Sequence, residues 1–408
     1  MRVQIITNLF APDELAGAAL FTDLTLFLKD QGHDVRVTCT FSYYPAWKLQ
    51  AQDRGVAVRE ELFHGIPVRR VAMHVPEVPT GKNRMLSDLS FLLSLIRRGR
   101  HARWQPEVIL TAIPLLSQSL AQRFLYLGRR IPRLIVVQDF VVEAALELGL
   151  LKFPGLGRLL HRTQRWALRS AQTLLTISPN MLEKLQKIVG PDRRTRYVPN
   201  WIHASLQREI DRAGQNGSAR KPGLLFYSGN VGVKQGLPDF VDEFKVANQT
   251  CAWRFAIHGG GAELAKLQSK VDLTPGCSLG PVLEEREYIR CLTASSACVV
   301  TQKPGVGANF LPSKLLPALA TGTPVLAVCD PNSPLGQEVN EGGFGAVVVP
   351  GNIVQLSETL QSWARQPNLL RTMSEKAHER AKLYHRDRIL PEYEIELQKL
   401  AKITGHAL

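Results

Sequence analysis

Short apolar runs rich in β-branched residues, each followed by a longer stretch of helical period, recur along most of this chain. In the first half the runs are VQIIT (residues 3–7), VRVTCT (35–40), PVRRVAM (67–73), EVILTAI (107–113), LIVVQD (134–139) and TLLTIS (173–178). Residues 15–29 carry the first helical pattern, which Gln31-Gly32-His33 ends. Buried strands separated by helix-length segments predict βαβ units around a parallel sheet. The pattern stops at QREIDRAGQNGSARKP (207–222), which is polar, rich in Gly and Ser, without periodicity, and reads as a linker. It resumes with GLLFYSG (223–229), WRFAIHG (253–259), CVVTQ (298–302), TPVLAVC (323–329) and AVVVP (346–350), with helical stretches at 262–270, 284–294 and 313–321. The tail, 386–408, reads as a final helix with Leu390, Ile395, Leu397, Leu400 and Ile403 as its apolar positions.

The expectation is two doubly wound α/β domains, at 1–206 and 223–385, joined by the linker 207–222. The helix 386–408 packs back on the N-terminal domain. Two such domains facing each other enclose a cleft, and ligands of such folds bind at the carboxyl ends of the strands.

Composition narrows this further. A hydrophobic content of 45% and a charged content of 21% are those of a globular chain. The formal net charge of +14 favours phosphates, nucleic acid or an anionic membrane as partners. The start MRVQIIT leaves no room for a signal peptide, and no apolar run approaches the roughly 18 residues of a spanning helix, so the cytosol is the expected compartment. Six scattered cysteines, without a C-x-x-C pair or clustered histidines, argue against a zinc site and a disulfide framework.

The candidate chemistry sits where strands of the second half run into helices. YSGNVGVKQG (227–236) leaves a predicted strand with three glycines and Lys234. Glycines let a backbone approach an anion, the following helix start offers free N–H groups, and a lysine supplies charge. The spacing is neither a Walker A loop nor G-x-G-x-x-G, so on its own the segment is a phosphate cradle or an ordinary turn. A second junction is Gly259-Gly260-Gly261-Ala262-Glu263. A third is GVGANFLPSKLLPALATGTPV (305–325), with Ser313 a candidate N-cap, a helix from about Lys314, and its end at Thr321-Gly322. Three anion-friendly helix starts in one domain point to a phosphorylated ligand.

The order of these motifs resembles the GT-B glycosyltransferases, specifically the large retaining family four, and within it the colanic-acid-type (exopolysaccharide) enzymes. The resemblance is carried by NLFAPDELAGA (8–18), VQDF (137–140), TISPNMLEKL (176–185), VPNWIH (198–203), YSGNVGVKQG, HGGGAE (258–263) and LPSKLLPALATGTPV (311–325). It implies a GT-B fold and a donor nucleotide sugar held by the second domain, with Lys234 on the donor diphosphate. Gly229, Asn230, Gly232, Gly260, Pro281, Val282, Asn309, Phe310, Leu311, Ser313 and Lys314 are the further donor-site residues. Base recognition in such folds often uses backbone groups, expected here around Gly280-Pro281-Val282. A basic residue is usual in the wider family where this chain has Asn230. Two family glutamates are replaced by Asn309 and Pro317, which puts their contacts to sugar and ribose in doubt. In the first domain, Gly17 matches a loop against the donor phosphates, and Asp139 matches an acidic position near the reaction centre. Asp139 is read as a base or sugar-hydroxyl acceptor, or as an N-cap.

Cleaving a sugar–phosphate bond leaves extra negative charge on a nucleoside diphosphate, which lysines, helix starts or a metal must neutralise. Lys234 and Lys314 are present and no D-x-D-type motif stands in a plausible loop. The expectation is therefore metal-independent transfer with no cofactor, from a UDP- or GDP-type sugar to a glycan or lipid-linked acceptor. Retention is implied by the family. Lys82, Arg84, Arg97, Arg98, Arg100 and Arg103 bracket the apolar residues 86–96, and KFPGLGRLLHRTQRWALR (152–169) repeats the mixture. Such faces suit an anionic membrane leaflet or are core helices with solvated ends. Tyr43, Tyr44 and Trp47 line an acceptor groove or simply pack. Competing classes are an epimerase or phosphorylase of similar fold and a non-catalytic binding protein; nucleic acid is disfavoured because no binding module is recognisable.

Overall fold

A computed structural model gives the fold, describing residues 1–13, 16–43, 46–77, 81–113, 116–140, 142–143, 154–215, 220–305, 307 and 311–405. The chain forms two units, one of Met1–Asn200 with Asp387–Leu408 and one of Trp201–Arg386.

The first unit is built on eight strands: β1 (Arg2–Ile6), β2 (Asp34–Thr40), β3 (Val58–Phe63), β4 (Ile66–Val71), β5 (Val108–Ile113), β6 (Arg133–Val137), β7 (Thr173–Thr176) and β8 (Arg194–Tyr197). Their order is β3-β4-β2-β1-β5-β6-β7-β8, parallel except for the β3–β4 hairpin. The second unit holds β9 (Leu224–Asn230), β10 (Arg254–Gly260), β11 (Cys277–Gly280), β12 (Ala297–Thr301), β13 (Val325–Val328) and β14 (Gly345–Val348), all parallel in the order β11-β10-β9-β12-β13-β14. Each unit is an α/β domain with a doubly wound sheet, and in each the strand order reverses beside the first strand, β1 or β9. That reversal opens a crevice at the strand's carboxyl end, because consecutive loops there run to opposite sides.

Three strands lie outside the apolar runs: β3 (VREELF), β8 (RTRY) and β11 (CSLG). All are sheet edges with partly exposed faces, so none carries a continuous apolar signal. The central strands do: β5 is buried along its whole length, as is β12. In the second unit the helix Leu237–Ala247 buries Leu237, Phe240, Val241 and Phe244 against this sheet, with Phe240 edge-on to Phe255 of β10 at 5.5 Å. Each buried aromatic or aliphatic side chain of this kind contributes about 1.5–3 kcal/mol, which fixes the helix beneath the glycine loop it follows.

The expected linker 207–222 is corrected by the structure. Residues Ala204–Gln215 are a helix, capped where His203 Nδ1 accepts from the Leu206 amide at 3.2 Å. Leu206, Ile210 and Ala213 lie at helical spacing and face the core of the second unit. The polar majority of the segment hides this one apolar face. Further on, Arg220 donates to the carbonyls of Thr321 (3.1 Å), Gly322 (2.7 Å) and Ser295 (2.9 Å), so this part of the segment is structural too.

The helix Arg386–Gly405 groups with the first unit. Glu396, fully buried, takes Arg194 and Lys399, each at 3.0 Å, and Arg196. Burial would raise its carboxyl pKa, but these cations outweigh that and hold it below the usual range. Leu390, Leu397 and Leu400 are buried as expected, whereas Ile395 is 46% exposed, and Ile389 and Tyr393 take buried places instead.

Candidate functional site in the second unit

The carboxyl end of β9 is where the predicted donor residues converge. β9 and β10 run level, pairing Gly229 with Gly259 and Asn230 with Gly260. The Val231 amide donates to the Gly260 carbonyl at 2.8 Å, and the Glu263 amide donates to the Val231 carbonyl at 3.0 Å. A Cβ on Gly261 would lie 2.4 Å from the Val231 carbonyl oxygen, so the two glycine loops pack backbone on backbone. After β9 the chain makes a single 3₁₀ turn, Val233–Gln235, before the helix Leu237–Ala247. Gln235 Oε1 accepts from the Gly232 amide at 3.2 Å and from Asn230 Nδ2 at 3.4 Å. Tyr227 donates its hydroxyl to the Asn230 carbonyl at 2.6 Å, and the Lys234 carbonyl accepts from the Lys303 amide at 2.8 Å. Asn230, Gly232 and Lys234 are thus set in a braced turn, with the Lys234 side chain half-buried.

Lys314 completes this arrangement from the far side of β12. Its ammonium lies 4.8 Å from the centre of the Tyr227 ring, a cation–π contact. Its stem crosses Gly229 so closely that a Cβ there would stand 2.6 Å from Cε and 2.9 Å from Nζ. Gly229 has a φ of +139°, which side chains rarely adopt, so glycine is required twice over at this position. Burial lowers the pKa of the ammonium to about 8, opposed by the nearby Cys298 sulfur. Burial pushes the Cys298 thiol itself up to about 12.

Around this centre the remaining positions fall into place or away. Gly260 lies beside Val282: a Cβ on the glycine would meet a Val282 methyl at 3.5 Å, and Val282 is exposed. Pro281 offers its carbonyl to His258, whose Nδ1 donates at 3.2 Å, which sets the proton on that nitrogen. Leu311 packs on the apolar core below. Ser313 is exposed and does not cap: the helix is Leu315–Ala320, preceded by Lys314 without a side-chain cap bond. The chain before it already turns, with the Leu315 amide donating to the Pro312 carbonyl at 3.1 Å, so the cap position falls on Lys314 one residue after the serine. Asn309 and Phe310 lie outside the described residues. Pro317, at the second family glutamate position, is within this short helix.

Gly17 and Asp139 belong to the first unit. Gly17 opens the helix Ala16–Asp30 after β1, is exposed, and has open space where a Cβ would stand. Asp139 follows β6, next to Gln138, whose side-chain amide exchanges two hydrogen bonds with Asn200 at 2.8 and 2.9 Å. β5 separates β1 from β6 in the sheet. Tyr43 is buried against Trp47, edge-on at 5.4 Å, so it packs in the core; Tyr44 lies outside the described residues.

One residue here escaped the sequence reading. Arg70 of β4, 1% exposed, donates to the Thr40 carbonyl at 3.0 Å, to Glu61 Oε1 at 2.7 Å, and to the carbonyl of Ala11 in the loop after β1. In that loop Asp13 accepts from the Ser42 hydroxyl at 2.6 Å, and burial raises its carboxyl pKa. An arginine inside an apolar strand, VRRV, was the available signal. Among the described residues no group of three or more His, Cys, Asp or Glu side chains gathers as metal ligands would, and no helix is long and apolar enough to cross a membrane.

Two doubly wound units, each with a crevice at its strand-order reversal, make up this chain, and the comparisons with known proteins bear on their class. Residues 19–201 match the family described as Glycosyl transferase 4-like domain, and residues 208–380 match Glycosyl transferases group 1. Among solved structures, the chain is similar to sucrose-phosphate synthase from Thermosynechococcus elongatus, with a TM-score of 0.74 at 16% identity over 98% of this chain and 99% of that one. It is also similar to Anabaena HepE in complex with UDP-glucose, with a TM-score of 0.66 at 12% identity over all of both chains. The chain therefore belongs to the GT-B glycosyltransferases, as the motif order implied.

Within them it is of the colanic-acid type. It is 28% identical over 387 residues to WcaI of Escherichia coli K12, named for colanic acid biosynthesis, across 91% of this chain and 93% of that one. It is 25% identical to the glycosyltransferase WbjE of Pseudomonas aeruginosa over 69% of this chain and 73% of that one. The protein is a glycosyltransferase of polysaccharide biosynthesis.

Proposed function

We propose that this enzyme transfers a sugar from a UDP- or GDP-type nucleotide sugar to a lipid-linked glycan acceptor, with retention of configuration and without a metal ion or cofactor. The observation that carries the donor half is the meeting of two glycine-ended strands with Lys314 beside the braced Lys234 turn. Backbone brought that close by glycine, with two lysines at hand, suits a diphosphate whose charge grows as the bond to the sugar breaks. HepE, solved with UDP-glucose, shares the fold and supports this reading. In the transfer step the anomeric C–O bond to the diphosphate breaks and a bond to the acceptor oxygen forms. The acceptor proton passes to a base, for which Asp139 is the candidate, or to the departing phosphate. Lys234 and Lys314 take the developing charge.

The acceptor half rests on the helix Gly81–Arg98. Its residues Met85 (50% exposed), Leu86 (53%), Leu89 (53%) and Leu93 (44%) form one exposed stripe, with Lys82, Arg84, Arg97 and Arg98 exposed around it. An apolar stripe rimmed by cations suits the anionic inner face of a cell membrane, where a lipid-linked acceptor resides. The test is release of free UDP or GDP from a panel of nucleotide sugars, with vesicles carrying polyprenyl-phosphate-linked glycan. Turnover is expected with one nucleotide class, faster on anionic than on neutral vesicles. No turnover with any donor, alongside tight binding of one, would make this a non-catalytic binding protein.

A further inference from the structure

We infer that the second unit carries a further binding site, at the end of its sheet away from the glycine loops, and that this site takes a small phosphorylated sugar. It does not depend on the donor reading above, which concerns the opposite end of the same sheet.

The site is a cavity of about 710 Å³, a size usual for small-molecule pockets. Gly223, Trp253 and Ser296, which stand immediately before β9, β10 and β12, line its sheet side. These strands run away from it, and the seven residues of β9 and of β10 put roughly 20 Å between the cavity and the glycines at their far ends. On the other side, Trp363 comes from the helix Ile353–Arg365, and Leu370, Arg371, Ser374 and Glu375 come from the next one, Pro367–Ala381. The two tryptophan rings lie 6.1 Å apart, and Trp253 is held by its indole N–H donating to the Leu360 carbonyl at 3.0 Å. With Leu370 they make one apolar wall.

The charges in this cavity are what point to a ligand. Arg220 lines it with a guanidinium that, among the described residues, no carboxylate balances. Its terminal nitrogens donate to the Ser295, Thr321 and Gly322 carbonyls, to the Thr323 hydroxyl at 3.3 Å and to the Ser374 hydroxyl at 3.5 Å, while its Nε donates to nothing. Burial lowers its pKa and no counter-charge opposes that. Arg70 differs, since Glu61 takes its Nε–H and balances the charge. Arg371 supplies a second cation, 80% exposed and paired with Glu375 one turn on at 3.2 Å. An exposed pair of that kind is weak and screened, so this guanidinium is free to turn to a ligand. The helix Pro367–Ala381 also starts at the rim without a side-chain cap, which adds the positive end of its dipole.

Together these groups select the ligand class. Two guanidinium groups and a helix start suit a phosphate. The Glu375 carboxylate and the Ser374 hydroxyl on the same wall suit sugar hydroxyls, and the tryptophan and leucine wall suits the C–H face of a sugar ring. Inorganic phosphate would leave that wall wet and meet Glu375 with like charge, and an uncharged sugar would leave Arg220 unbalanced.

The experiment is calorimetric titration of the full chain with UDP and GDP present in excess, so that a nucleotide site elsewhere is already filled. The probes are the hexose phosphates of glucose, galactose and mannose, phosphorylated at the anomeric or the terminal oxygen, with free glucose and inorganic phosphate as controls. At least one hexose phosphate is expected to bind with a Kd between about 10 μM and 1 mM, and both controls at least about tenfold more weakly. Arg371→Glu reverses an exposed charge, and Ala364→Trp fills the cavity from an exposed helix end. Each should weaken binding by at least about tenfold while leaving the thermal midpoint unchanged. Arg220→Met would also free buried carbonyls, so the two exposed variants carry the test. No binding of any hexose phosphate at about 10 mM, equal binding of inorganic phosphate, loss of binding when UDP and GDP are added, or unchanged binding by either folded variant overturns the inference. None of these results touches the donor reading, which is decided by nucleotide sugar turnover.

Discussion

The two units begin in the same way, a buried strand opening into a loop and a helix, yet they hold that loop by opposite means. After β1 the loop is fastened by a large buried charge: Arg70 grips the Ala11 and Thr40 carbonyls and is balanced by Glu61. After β9 the loop is fastened by the absence of side chains. Gly229, Gly259 and Gly261 let backbones and a lysine stem approach where any Cβ would collide. A guanidinium whose N–H groups already donate to Glu61, Cys39 and two backbone carbonyls fixes a loop and has little left for a ligand. Glycine packing fixes the backbone equally well and leaves the Lys314 ammonium against the Tyr227 ring. On the function proposed above, the second loop is arranged for an incoming anion, whereas the first is arranged around its own arginine.

Three substitutions would break or sharpen this contrast. Lys234→Ala should lower the transfer rate by on the order of 10²–10³ with no change in thermal midpoint, because its side chain is half-buried and its carbonyl contact to Lys303 survives. Near wild-type turnover would remove the lysine from the reaction. Arg70→Met should act on stability instead, costing about 2–4 kcal/mol by removing the donor to the Thr40 and Ala11 carbonyls and leaving Glu61 to Arg59 alone; denaturant unfolding measures it, and a loss under about 1 kcal/mol would mean the loop is held by other contacts. Gly229→Ala should cost about 1–3 kcal/mol through its φ of +139° and the clash with Lys314, and should weaken nucleoside diphosphate binding as well. An alanine variant with unchanged binding would show that the lysine does not need that seat.

Much of the fold was legible because central parallel strands must be apolar on both faces. β1, β5, β6, β9 and β12 announce themselves this way, and the loop after β9 could be marked from its glycines and its place at the first junction of the second domain. The edge strands β3, β8 and β11 could not, since one exposed side breaks the apolar run. The helix Ala204–Gln215 was read as a linker because three apolar residues among polar ones define a face only when a core lies opposite. Ser313 looked like a cap because it precedes a helical pattern; whether a serine caps depends on backbone torsions that its identity does not set.

The residues by themselves determined the alternation of elements, two domains, the glycines at the strand ends and which lysines were candidates, since these depend on local spacing and composition. Only the tertiary structure decided which side chains meet. It set the Lys314 stem across Gly229 and its ammonium over Tyr227, and it tied Arg70 to Ala11. Strand order brings together residues remote in sequence, and burial at the meeting point turns an ordinary lysine into one whose pKa lies near 8.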